Sequence, residues 1–193
     1  AFNPTMQCQM MPELNPGFRP EQLRAHLSIH LPDAGEATHP VWWVGFSGGL
    51  DATVLLHALA QLNLPVTLHA LHINHQISPN ADAWQRQCEQ FCTQLNLPFH
   101  AEKVQVKNSG KGIEDAAREA RYKVFEQYVG ADDYLFTAHH SNDQAETLLL
   151  RLMRGTGPRG LAAIAGERQL ASGGKLIRPL LHFSRAELEE YAL

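Results

Sequence analysis

The segment with the clearest chemical potential is Ser47-Gly48-Gly49-Leu50-Asp51-Ala52-Thr53. Two adjacent glycines allow a tight turn and let the backbone approach a ligand closely. An apolar run, Val41–Phe46, precedes the segment and a helical pattern, Ala52–Leu62, follows it. The turn therefore leads from a buried strand into a helix start. Unpaired N–H groups and the helix dipole favour an anion there, so the segment reads as a phosphate cradle. It lacks the Gly-Lys-Ser/Thr of a Walker loop and the third glycine of a dinucleotide fingerprint. Ordinary strand–helix turns also use Ser-Gly-Gly, so the surrounding residues must decide.

Candidate acids follow. Asp51 stands at the helix start beside the cradle, where it also suits the dipole. Asp143 and Glu146 lie three apart and share a helix face, with Thr147, Leu150 and Arg151 continuing that side. Leu148, Leu149 and Leu152 are then expected to face the core. His139 and His140 are neighbours and must point different ways, with His139 expected to be packing. Glu114, Arg118 and Arg121 have the spacing of one helix face. They form either a surface ion pair worth about 0.3–0.5 kcal/mol or a polar wall facing a substrate. His69, His72 and His75 do not read as a zinc site, because a three-residue step along a strand alternates faces. Cys88 and Cys92 fall on an apolar helical stripe with Ala81, Trp84, Phe91 and Leu95, which predicts buried thiols.

These residues need a frame, and the hydrophobic pattern supplies an alternation of strands and helices. Pro20 opens a helix through Leu31 with Leu23 and Leu27 on one face. Strands are expected at Val41–Phe46, Val66–Asn74, Phe99–Val106, Tyr134–Ala138 and Leu176–Leu180, the last limited by Pro179. Helices are expected at Ala52–Leu62, from Ser78-Pro79 with the proline in the first turn, and at Ile113–Tyr128. Another is expected from a Ser141/Gln144 capping box to about Arg154, and a last one after a Ser184/Glu187 box. This rhythm predicts an α/β, Rossmann-like three-layer sandwich around a mostly parallel sheet of about five strands. Ligands of such sheets sit at the carboxyl ends of the strands, near the topological switch point. That is where the cradle and Asp143 fall.

The 193 residues fit one domain: residues 1–19 as a flexible, proline-punctuated tail and 20–193 as the folded unit. The last helix carries no stop signal, so the domain is expected to be truncated at its C-terminal end. With 44% hydrophobic and 19% charged residues the chain can bury a core, which excludes disorder. A net charge of -4 excludes a polybasic binder. No apolar run reaches a membrane span, and the tail lacks the pattern of a signal peptide. Three cysteines without framework spacing suit a reducing, cytoplasmic setting. The charge is uneven: residues 150–193 hold 7 basic and 4 acidic residues, against 9 and 16 before them. A basic end on an acidic chain is compatible with an anionic partner or with a solvated surface.

The cradle resembles the pyrophosphate loop of the N-type ATP pyrophosphatases, which cleave ATP between the α and β phosphates and adenylate an oxygen. Four further segments narrow the resemblance: His72-Ile73-Asn74-His75; Gly112 to Tyr122; Thr137 to Thr147; and Arg154-Gly155-Thr156-Gly157 with Ile177-Arg178-Pro179-Leu180-Leu181. In this order they resemble the tRNA(Ile)-lysidine synthetase family from about residue 20 onward. The resemblance implies a carbon–nitrogen ligase that uses ATP and Mg²⁺. It would adenylate the C2 oxygen of the wobble cytidine in the CAU anticodon of tRNA(Ile). Free L-lysine would then displace AMP through its ε-amine.

Carried onto this chain, the resemblance implies ATP contacts from Ser47, Gly48, Gly49, Leu50, Asp51, Ala52 and the strand end at His72. It implies Mg²⁺ on Asp51 and Asp143, and catalytic roles for Asp51, His140, Asp143 and Glu146. Glu114, Arg118, Arg121 and Arg154 would meet lysine or tRNA. Two positions depart from the family pattern: Ala52 replaces the usual serine, and Asn142 replaces the first of two aspartates. Rival readings are a tRNA thiolase or amide-forming ATP pyrophosphatase, whose signatures are paired cysteines or a glutaminase partner, and a non-catalytic ATP-binding module.

Overall fold

The computed structural model describes residues 17–32, 40–105, 112–153, 155 and 164–193. Most of the expected tail, residues 1–16, lies outside them. Six strands form one sheet: β1 (Val41–Gly45), β2 (Thr67–Asn74), β3 (Phe99–Lys103), β4 (Tyr134–Phe136), β5 (Glu167–Gln169) and β6 (Lys175–Ile177). Their order is β3-β2-β1-β4-β6-β5, and only β5 runs antiparallel to its neighbour. The chain builds outward from β1 to β3, then returns to place β4 on the other side of β1. That reversal makes the carboxyl ends of β1 and β4 the switch point, where a crevice opens.

Helices are α1 (Pro20–Leu27, followed by a 3-10 turn at Ser28–His30), α2 (Leu50–Gln61), α3 (Ala81–Gln94), α4 (Ile113–Tyr128), α5 (Ser141–Met153) and α6 (Arg185–Ala192). Buried side chains form two clusters, so the sheet is covered on both faces. Trp42 and Val44 of β1 join α1, α2 and α6 residues such as Leu23, Leu55 and Leu188. Trp43 joins Val124 and Phe125 of α4 with Leu71, Leu135 and Leu176. This alternation explains why three successive β1 residues are all buried: each face meets its own apolar layer. Helix α2 buries Ala52, Val54, Leu55, Leu56, Ala58 and Leu59, which fixes the strand–turn–helix unit carrying the cradle. Among the described residues no helix is long and apolar enough to cross a membrane.

The expected fold class holds, with corrections. The sheet has six strands, because Glu167–Gln169 forms a short exposed edge strand. Its polar residues give no apolar alternation. What makes it a strand is the turn at Gly173, whose φ is +97° and which bonds its N–H to the Leu170 carbonyl. Pro79 precedes α3 rather than occupying its first turn, since the helix starts at Ala81. Leu148, Leu149 and Leu152 are exposed, not turned to the core. The run from Leu148 to Met153 has only Arg151 as a polar residue, so it has no polar face to orient it. The Ser141/Gln144 box is also replaced. Asp143 accepts the His140 N–H at 2.8 Å, while Gln144 brackets the backbone of Ile164 at 2.9 and 2.6 Å. The Ser184/Glu187 box forms as expected.

Candidate nucleotide-activating site

A cavity of about 520 Å³ opens at the carboxyl ends of β1, β2 and β4. Its floor is the segment from Gly45 through Ser47 and Gly49 to Ala52; one side is the end of β2 with α3, and the other is α4 with Thr137–His139. The cradle is shaped by Gly48, whose φ is +81°. A Cβ there would lie 2.6 Å from Cys88 Sγ, so α3 packs directly beneath the turn. The Ser47 hydroxyl accepts the Gly49 N–H at 3.3 Å. Thr53, adjacent to the alanine that departs from the family pattern, donates its hydroxyl to the Gly49 carbonyl at 2.9 Å and so spends it on its own helix. Ala52 is buried and lines the cavity.

The end of β2 is held by its polar residues. His72 is buried and its Nδ1 is 2.8 Å from the Phe46 carbonyl. A carbonyl can only accept, so Nδ1 carries the proton and Nε2 is left as an acceptor. Burial pushes the His72 pKa below its ordinary value, which keeps the ring neutral. Asn74 is buried and ties the strand end to α3. Its Nδ2 donates to Asp82 and Gln85 at 2.8 and 2.9 Å, and its Oδ1 accepts the Gln76 N–H. Ile77 and Trp84 present exposed apolar surface on this side of the cavity, as a planar base would require.

The acids come together as spacing alone could not show. His140 is buried between two carboxylates: its Nε2 lies 3.6 Å from Asp51 and its Nδ1 lies 3.6 Å from Asp143. Asp51 Oδ1 and His140 Nδ1 are buried without a hydrogen-bond partner among the described residues. A carboxylate oxygen left unpaired beside a phosphate cradle fits a hard cation, which takes oxygen ligands. Arg185, at the start of α6, reaches Asp51 at 3.4 Å and Glu189 at 2.8 Å. Its backbone N–H donates to Asn142 Oδ1 at 3.0 Å. The asparagine that departs from the family pattern thus joins the amino ends of α5 and α6.

Other candidates scatter. Glu146 stands on α5 one turn beyond Asp143 and is exposed. Arg121 lines the cavity, while Arg118 lies over the Tyr122 ring with Cζ 5.8 Å from its centroid. Neither makes an ion pair with a carboxylate whose side chain is among the described residues. The side chain of Glu114 and all of Arg154 lie outside the described residues. His69 is 3.1 Å from His100 and packs on Trp43, away from His72 and His75. Cys88 and Cys92 are buried, as the apolar stripe predicts, and burial pushes their thiols up to about 11 and about 12.

His139, expected as packing, lines the cavity. Burial first, then the Arg178 guanidinium, hold its pKa down at about 4. Its folded-state pKa lies below the unfolded value of 6.5, so the unfolded chain binds more protons between the two. Stability is therefore full above pH 6.5 and falls as pH drops toward 4, by up to about 3 kcal/mol from this group. Urea melts are expected to weaken between pH 7 and 4.5, and His139→Gln to lose less over that range. Equal losses in the two proteins would contradict the assignment.

A strand–cradle–helix unit at the switch point of a parallel sheet, with a carboxylate beside the cradle, is the arrangement of a candidate phosphate-binding site. The PP-loop domain family matches residues 22–193, and the chain belongs to that family of ATP-utilising domains. It is 52% identical to a tRNA(Ile)-lysidine synthase of Pseudomonas syringae pv. tomato over 159 residues, covering 80% of this chain and 35% of that protein. It is 54% identical to the tRNA(Ile)-lysidine synthase of Pseudomonas aeruginosa over 155 residues, covering 78% of this chain and 34% of that one. The chain thus spans about a third of the length of these relatives. Among solved structures, the U34-tRNA thiolase NcsA from Methanococcus maripaludis shares the fold, with a TM-score of 0.70 and 17% identity over 90% of this chain and 60% of that one.

Proposed function

We propose that this chain is the ATP-activating part of a tRNA(Ile)-lysidine synthase. The observation that carries the reading is the grouping of Asp51, His140 and Asp143 at the mouth of the Gly48-Gly49 cradle, in a chain about half identical to proteins of that name. The chemistry has two displacements. In the first, the C2 oxygen of the CAU wobble cytidine attacks the α-phosphorus of ATP, the bond to the β-phosphate oxygen breaks, and pyrophosphate leaves with the electron pair. In the second, the lysine ε-amine attacks C2 and gives up a proton, and the C2–O bond breaks to release AMP.

Each residue has a part that its position supports. The cradle N–H groups from Ser47 to Ala52 hold the phosphates, and the neutral His72 fixes the β2 end against which the adenine lies. Asp51 and Asp143 are the residues that would hold Mg²⁺, which would supply neutralisation of the phosphate charge. His140, buried between the two carboxylates, stands near the ATP or the reacting oxygen in this reading. Glu146, one turn beyond Asp143 on α5, draws the lysine ammonium and takes its proton. Arg121 faces the phosphates from the cavity wall. Sulfur transfer through Cys88 or Cys92, the cysteines among the described residues, is disfavoured because both are buried and stay thiols at neutral pH.

Incubation with ATP, Mg²⁺, labelled lysine and two tRNA(Ile) transcripts tests the reading. Label is expected in the RNA with a CAU anticodon and not in one with GAU; label in neither, or equally in both, overturns it. A second expectation concerns Ala52. Because Thr53 spends its hydroxyl on Gly49, Ala52→Ser adds the missing phosphate donor and is expected to tighten ATP binding about five-fold, for one added hydrogen bond. Unchanged affinity by calorimetry would mean that another group already fills that place.

A further inference from the structure

On the side of β4 away from the β2 end of the cavity, three arginines from separate elements meet at one tyrosine. Tyr122 of α4 has the Arg168 guanidinium of β5 4.9 Å from its ring centroid and that of Arg118 at 5.8 Å. Arg178, directly after β6, lies beside the Tyr122 hydroxyl. It is 7% exposed, donates Nη1 to the Ala165 carbonyl at 2.6 Å, and leaves its Nε without a partner among the described residues. Among the described residues no carboxylate lies within ion-pair distance of Arg118, Arg168 or Arg178, whereas Arg185 has two. Gathering like charges costs repulsion, and burying one costs desolvation. Glu114, one turn before Arg118, has its side chain outside the described residues; the described ones supply the cluster no counter-anion, which leaves it able to take an external one. Stacking on an aromatic ring orients guanidinium planes and leaves their edges free for bidentate contacts to phosphate.

Sheet order argues which anion. The exposed apolar surface that suits a base lies at β2 and α3, the cradle and carboxylates lie at β1 and β4, and Tyr122 with its arginines lies toward β6 and β5. The cluster therefore flanks the reaction centre opposite the nucleoside. It also holds more positive charge than the single α-carboxylate of an amino acid needs. We propose that Arg118, Arg168 and Arg178, arranged around Tyr122, form a binding pocket for a backbone phosphate of the RNA substrate beside the nucleotide being modified. This rests on the lysidine synthase reading for its substrate and goes beyond it in naming the contact.

Arg168 is exposed on an edge strand, so its replacement leaves the fold intact. Binding of a fluorescent anticodon stem–loop RNA bearing CAU, followed by anisotropy across a range of KCl concentrations, reads the pocket without turnover. Arg168→Gln is expected to weaken binding about five- to ten-fold and to reduce the slope of log K against log salt by about 0.7 to 1. Arg168→Lys keeps the slope and loses part of the affinity. ATP affinity stays unchanged in both. Unchanged RNA affinity and slope in Arg168→Gln overturns the pocket, as does absence of salt-dependent RNA binding by the wild-type chain or weakened lysine binding with RNA binding intact. The two readings separate. RNA binding through Arg168 without AMP formation removes the synthase reading and leaves the pocket. AMP formation with Arg168-independent RNA affinity does the reverse.

Discussion

Asp143→Asn is expected to lower AMP formation at least about a hundred-fold while moving the melting temperature little, the size of effect seen when one charge-stabilising group leaves an active site. Asp143 has two jobs that this substitution separates. As a backbone acceptor it takes the His140 N–H at 2.8 Å and starts α5. An asparagine oxygen can do the same. As a charge it stands 3.6 Å from His140 Nδ1, across the ring from Asp51. Its contribution to the helix dipole is only about 0.3–1 kcal/mol, so the fold survives its loss. Unchanged turnover with a normal melting profile would remove Asp143 from the chemistry and leave it a helix cap.

Gly48→Ala is expected to disable the cradle. At φ +81° a side chain costs about 1–2 kcal/mol. The new methyl would also sit 2.6 Å from the sulfur of Cys88, which is buried in the main core and cannot swing away. Overpacking of this kind costs a further 1–3 kcal/mol or so. ATP affinity is expected to fall at least about ten-fold, because strain in the turn moves the N–H groups that face the phosphates. The double variant Gly48→Ala/Cys88→Ala relieves the clash but not the dihedral, so it recovers part of the stability and little of the affinity. Wild-type affinity in the single variant, measured by calorimetry, contradicts the role given to this turn.

The sequence was most legible where pattern and packing agree. Val41 to Phe46 is apolar throughout because β1 lies between two layers, and Ser184 with Glu187 caps α6 as the spacing predicts. The cradle could be read because glycines before a helix leave few alternatives. Pattern failed where tertiary partners decide. β5 exists through its pairing with β6 and the turn at Gly173, not through its own residues. The leucines of α5 gave no direction because they surround the helix. Gln144 was drawn from its expected capping place by Ile164, twenty residues on.

The site divides in the same way. Asp51 and Asp143 could be proposed from their places beside strand ends. That one buried imidazole bridges them depends on the return of the chain across the sheet. His139 reads as packing because nothing local shows that Arg178, directly after β6, and Arg118 of α4 bear on it. Arg185 had no motif to mark it, and Tyr122 stood only as the last residue of the Gly112–Tyr122 segment. Their significance comes from what packs against them: Asp51 in one case, three arginines in the other.

In the proposed reaction ATP is cleaved between its α and β phosphates to adenylate RNA. ATP labelled at the α-phosphate, with Mg²⁺ and tRNA(Ile) bearing a CAU anticodon, tests it directly when products are resolved with and without lysine. The account predicts labelled AMP that forms only with the RNA, is carried on it in the absence of lysine, and is released when lysine is added. Labelled ADP, or AMP that forms equally without RNA, would contradict it.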